Sequence, residues 1–121
     1  MNFTLDYVLN TIGIEGILAL VNNKSRGCEF RECLAYLDES LSEPIFFTSC
    51  IRGIISIEPR GKIQKHHWSP LSLIFVPRGE INTLAEMSYE EYVEWNKLAR
   101  TDSASKSFAR WLAEKIITNE R

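Results

Sequence analysis

Strand-forming residues crowd into the middle of this chain and helical patterns into its two ends, a grouping that argues against alternating βαβ units and for an antiparallel sheet flanked by helices. The middle carries β-branched and aromatic residues in short runs: Ile45 to Thr48, Ile51 to Ile57, Lys62 to Trp68 and Leu71 to Val76. Two connections share a pattern, Ile57-Glu-Pro-Arg-Gly-Lys-Ile63 and Phe75-Val-Pro-Arg-Gly-Glu-Ile81. Proline presets a turn there and glycine tolerates positive φ, so hairpin turns are expected at Glu58 to Gly61 and Pro77 to Gly79.

The ends read as helices. Leu5, Val8, Leu9 and Ile12, then Ile14, Ile17, Leu18 and Val21, have helical spacing that Gly13 and Gly16 weaken and divide. Phe30, Cys33, Leu34, Leu37 and Leu41 recur at intervals of three and four, which predicts a second helix ending near Ser42, before Pro44. Ser88-Tyr-Glu-Glu91 is a capping box opening a helix from about Tyr89 to Arg100. Asp102 or Ser103 can cap a last helix, with Ala104, Phe108, Trp111, Leu112 and Ile116 on its apolar face. The expected fold is α+β: an antiparallel meander of about four or five strands over residues 45–84, with two N-terminal and two C-terminal helices packed on it. With 121 residues and an ordinary apolar fraction of 45%, a single domain over residues 1–121 is expected.

The most apolar stretch, Ile12 to Val21, is interrupted by Glu15 and is half the roughly 20 residues that span a bilayer. Acidic Asp6 and Glu15 precede the first basic residue, Lys24, the reverse of a secretory signal, so no membrane partner and a cytoplasmic location are expected. Cys28, Cys33 and Cys50 have no disulfide spacing and read as buried small hydrophobes.

No residue set announces catalysis. On a helix, Cys28 and Cys33 would point about 140° apart, and on a strand His66 and His67 would face opposite ways, so neither pair clasps a metal and no cofactor is expected. There is no nucleophile elbow or phosphate loop. A metal-independent ribonuclease is the enzymatic alternative, with His66 or His67 as acid and base, Glu58 as a second carboxylate and Arg60 or Lys62 stabilising the phosphorane. An RNA-binding or regulatory module is another, using Arg52, Arg60, Lys62, Lys65 and Arg78 with His66, His67 and Trp68 to join phosphate attraction to base stacking.

Charge is segregated along the chain. Residues 1–51 carry three basic and seven acidic side chains, 52–78 five and one, 79–96 none and five, and 97–121 six and three. With a pI near 5.7, nucleic acid is a poor partner. Glu90, Glu91 and Glu94 share an arc of the Ser88-capped helix with Trp95 at its edge. Together with Asp38, Glu39 and Glu86 they form a candidate surface for a basic protein.

A small, acidic, cysteine-poor α+β chain of this profile resembles the bacterial immunity proteins that neutralise cognate toxins, including those of contact-dependent growth inhibition systems. The likeness lies in size, charge and missing motifs, and no residue role is carried over from it. It implies a non-enzymatic inhibitor that binds a basic nuclease toxin, with Asp38, Glu39, Glu86, Glu90, Glu91, Glu94 and Trp95 at the contact.

Overall fold

A computed structural model describes residues 3–120. Along the chain run α1 (Phe3–Thr11), α2 (Gly13–Leu20), β1 (Gly27–Tyr36), β2 (Ile45–Ile55), a 3-10 turn (Pro70–Leu73), β3 (Phe75–Pro77), a second 3-10 turn (Leu84–Glu86), α3 (Tyr89–Ala99) and α4 (Ala104–Glu120). The class is α+β, as expected, but the antiparallel sheet has three strands in the order β1-β2-β3. β2 pairs with β3 so that Gly53 faces Pro77, Ile54 faces Val76 and Ile55 faces Phe75.

Several segments differ from expectation. The helix expected over Phe30 to Leu41 is mostly β1, whose even-numbered residues from Cys28 to Tyr36 turn inward. Glu32 sits in that series because its carboxylate accepts from the Ser105 N–H at 3.0 Å and the Ser105 hydroxyl at 3.2 Å, at the start of α4. A carboxylate in the inward series breaks the period-two apolar pattern and leaves a misleading three-four spacing. The runs Ile45 to Thr48 and Ile51 to Ile57 fall on one strand, β2, which ends at Ile55. Lys62 to Trp68 is a loop, and Leu71 to Val76 divides into a 3-10 turn and the start of β3. Pro77 does begin a turn, closed by the Glu80 N–H on the Pro77 carbonyl at 3.0 Å, but it leads to the second 3-10 turn instead of a strand.

Helix ends follow local chemistry. Gly13, at φ +64°, separates α1 from α2 where the sequence predicts a division. Ser88 caps α3: its hydroxyl accepts from the Glu91 N–H at 3.1 Å, while the Ser88 N–H donates to the Glu91 carboxylate at 3.0 Å. The Ser88 N–H first, and the nearby Ser88 side chain second, hold the Glu91 carboxyl below the usual range. Ser103 caps α4 through the Lys106 N–H at 3.2 Å.

The chain divides into two compact units, each discontinuous in sequence. Unit 1 holds residues 1–29 and 52–92, with a core of Ile74, Phe75, Val76, Leu84, Ala85 and Met87. Unit 2 holds residues 30–51 and 93–121. There Phe108 and Trp111 of α4 lie against Tyr36 and Phe47, with ring centroids 5.1 to 5.8 Å apart. Of the cysteines expected to be buried, Cys33 and Cys50 lie on the exposed side of their strands, and Cys28 is half-buried. Burial pushes the Cys28 thiol pKa up.

Candidate functional site

The densest set of chemically versatile side chains in unit 1 is the loop that carries His66, His67 and Trp68. It begins at Gly61, where φ is +92° and an added Cβ would lie 2.5 Å from the Ala85 carbonyl carbon and oxygen. Only glycine lets the chain pass so close to the second 3-10 turn. Around it the Arg60 guanidinium donates to the Ile81 carbonyl at 2.8 Å and pairs with Glu86 at 3.0 Å. The Thr83 hydroxyl donates to the Arg60 carbonyl at 2.8 Å, and Glu86 accepts from the Thr83 N–H at 2.9 Å. The Glu86 carboxylate thus closes the start of the second 3-10 turn, as Glu91 does at the start of α3.

His67 pins the loop. The Gln64 N–H donates to its Nδ1 at 2.9 Å, which places the ring proton on Nε2, and Nε2 donates to the Leu84 carbonyl at 3.2 Å. Burial first, and the neighbouring His66 second, lower the pKa of His67, against a smaller opposing effect of the Leu84 bond. His66 packs against His67, Tyr92 and Tyr89 at centroid distances of 4.1, 4.7 and 5.2 Å. Its Nε2 is buried without a hydrogen-bond partner. Trp68 stands exposed at the rim, followed by Ser69, whose hydroxyl accepts from the Leu71 N–H at 3.1 Å and starts the 3-10 turn.

Both nitrogens of His67 are engaged with backbone, which takes that ring out of acid-base work, and the Nε2 of His66 is buried. Arg60 is spent on structure, and Arg52 pairs with Glu29 at 3.4 Å. Lys62, Lys65 and Arg78 remain exposed. Among the described residues no three His, Cys, Asp or Glu side chains gather as a metal cage.

The proposed acidic contact residues have varied surroundings. Asp38 accepts from the Tyr36 hydroxyl at 2.7 Å and from Lys115 Nζ at 3.0 Å, besides the Ser40 N–H and hydroxyl. Ser40, then Tyr36 and Lys115, hold its carboxyl far below the usual range. Lys115 also lies over the rings of Trp111 and Tyr36, at 5.2 and 5.8 Å. Glu86 and Glu91 act in caps. Glu39, Glu90 and Glu94 are exposed and Trp95 is half-buried. Carboxylates read as a docking surface therefore include three with internal bonding roles.

Comparison with known proteins gives a consistent relationship. Residues 6–111 match the model of the Ham1 family. The chain is 37% identical over 111 residues to a protein of Methanopyrus kandleri named dITP/XTP pyrophosphatase, and 38% identical over 111 residues to one of that name from Thermococcus kodakarensis. Each alignment covers 91% of this chain and 55% of the relative, so the chain spans about half the length of the curated relatives it matches. Among solved structures, a HAM1 protein from Coxiella burnetii superposes with a TM-score of 0.63 at 23% identity, covering 84% of this chain and 50% of that one. A nucleoside-triphosphatase / dITP/XTP pyrophosphatase from Mycobacterium abscessus does so at 0.59 and 25%, covering 73% and 45%.

These relationships overturn the resemblance to immunity proteins and, with it, the non-enzymatic toxin inhibitor and its basic toxin partner. The ribonuclease alternative and the RNA-binding module fall with them. Size, acidity and missing motifs describe many small proteins. By the extent of the family match and the identity to these relatives, the chain belongs to the Ham1 family.

Proposed function

We propose that this chain acts in the hydrolysis of noncanonical nucleoside triphosphates of the dITP and XTP type, releasing pyrophosphate. One observation carries the reading: the identity, over nine-tenths of the chain, to archaeal proteins named dITP/XTP pyrophosphatase. Unit 1 offers parts that suit such a substrate. Trp68 is 55% exposed and is of a type that stacks on purine rings, and Lys62 and Lys65, exposed just before it, offer charge to the phosphates. Cleavage that frees pyrophosphate builds negative charge on the departing group, and lysine ammonium groups stabilise that charge. His67 is a positioning residue in this scheme, fixing the loop that carries Trp68. No helix among the described residues is long and apolar enough to cross a membrane, and a substrate drawn from the nucleotide pool suits a cytoplasmic location.

Titration with XTP or dITP, followed by tryptophan fluorescence, tests the site. Saturable quenching is expected in the wild type. Trp68→Phe should remove most of the signal, and Trp68→Ala should weaken binding roughly tenfold or more, since one base stack contributes about 1–3 kcal/mol. Absence of saturable binding, or quenching unchanged in Trp68→Phe, rejects this site.

A further inference from the structure

His67 ties down the middle of the loop between Gly61 and Ser69. The loop enters past the second 3-10 turn, where the Lys62 N–H donates to the Ala85 carbonyl at 3.3 Å, and it leaves into the 3-10 turn that Ser69 caps. Between those points His67 bonds from both ring nitrogens: Nδ1 accepts from the Gln64 N–H at 2.9 Å, and Nε2 donates to the Leu84 carbonyl at 3.2 Å. The His67 N–H in turn donates to the Gln64 carbonyl at 3.0 Å, which folds the segment back on itself. This pattern requires a neutral ring, because only an unprotonated Nδ1 accepts a bond.

A proton on Nδ1 sets two N–H donors against each other across the same 2.9 Å. It also puts charge on a buried ring whose centroid is 4.1 Å from that of His66. The other charged and titratable groups around it offer no relief. Lys62 and Lys65 on the same loop are cationic, and Tyr89 and Tyr92 at the start of α3 present rings to the histidines. Glu86 on the second 3-10 turn is engaged by Arg60 and the Thr83 N–H, Glu91 on α3 is engaged by Ser88, and Glu90 is exposed. No carboxylate among the described residues bonds to the His67 ring.

We infer that His67 is an acid-released latch: neutral, it holds residues 62–68 on the second 3-10 turn, and protonated, it frees the surface that carries Lys62, Lys65 and Trp68. Release and proton uptake are one step. Because the folded protein lowers the pKa of His67, the latch is closed above about pH 6.5 and opens more readily as pH falls below it. Control of nucleotide binding by the latch rests on the function proposed above. The latch itself concerns the ligand-free loop and is tested there, so that the two can fail separately.

The test is amide hydrogen exchange of the ligand-free protein, followed residue by residue by NMR and corrected for the intrinsic effect of pH. Uptake of one proton on opening predicts that protection of the Gln64 and His67 N–H groups falls about tenfold between about pH 7.5 and 5.5. The Ser56 and Arg78 N–H groups, bonded to the Ile74 and Arg52 carbonyls, should keep their protection. His67→Asn retains a side-chain oxygen that accepts from Gln64 and takes up no proton in this range, so it should keep the loop closed and abolish the response. Loop protection indifferent to pH in the wild type, a fall of equal size at Ser56 and Arg78, or a response that persists in His67→Asn would each overturn the inference. The wild-type measurement decides the matter by itself where the variant does not fold.

Discussion

At the scale of single residues, His67 is the side chain whose removal tells most. Losing its ring leaves the Gln64 N–H and the Leu84 carbonyl without their partner, which costs about 2 kcal/mol when such groups are buried. Chemical denaturation of His67→Ala should show that loss. The pH response has a definite sign. Since the folded protein lowers the pKa of His67, the unfolded chain binds a proton more readily below about pH 6.5. The stabilisation is complete above that value and is lost as pH falls through it towards the folded pKa. Melting temperature should therefore drop on going from about pH 7.5 to 5.5, with a shallower drop in His67→Phe. A wild-type slope identical to that of the variant would show that His67 does not carry the effect. Gly61→Ala meets both the positive φ and the Ala85 backbone and should cost about 2 kcal/mol or more. The sequence displayed Gly61 as a turn residue, but the paired bonds of His67 were invisible in it because they join residues 3 and 17 apart through backbone atoms.

At the scale of elements, what was legible divides by the kind of signal. Helices α1, α2, α3 and α4 show in apolar period and in caps, because a cap is a local bond between residues three apart. Ser88→Ala should accordingly cost about 1 kcal/mol. β1 was hidden because its pattern depends on a partner far along the chain: Glu32 turns inward to cap α4, 73 residues away. Glu32→Ala should destabilise the protein by about 1 kcal/mol, while Glu32→Gln, which keeps an acceptor oxygen, should restore part of that. Equal losses in both variants would mean that the cap bond contributes nothing. Lys62 to Trp68 looked like a strand because β-forming residues also suit a loop held by side-chain bonds and ring packing. Of the candidate site, the sequence displayed Trp68 with Lys62 and Lys65 as a stacking and phosphate-attracting set. It did not show that His67 holds the loop through backbone bonds.

At the scale of the whole molecule, the segregated charge blocks had suggested a docking face, yet Asp38, Glu86 and Glu91 make ion pairs or caps within the chain. Block charge along a sequence does not establish a charged surface in space. A length of 121 residues suffices for an ordinary domain, and it is about half that of the curated relatives the chain matches. β1, β2 and α3 each contribute residues to both units, so cooperative unfolding in one transition is expected, with calorimetric and van't Hoff enthalpies in agreement. Two resolved transitions would count against a single folding domain. The central claim, however, is chemical, and separation of products after incubation with dITP tests it most directly. The chain should release pyrophosphate from dITP and XTP in preference to dGTP; folded protein that releases none from any of the three would contradict the account.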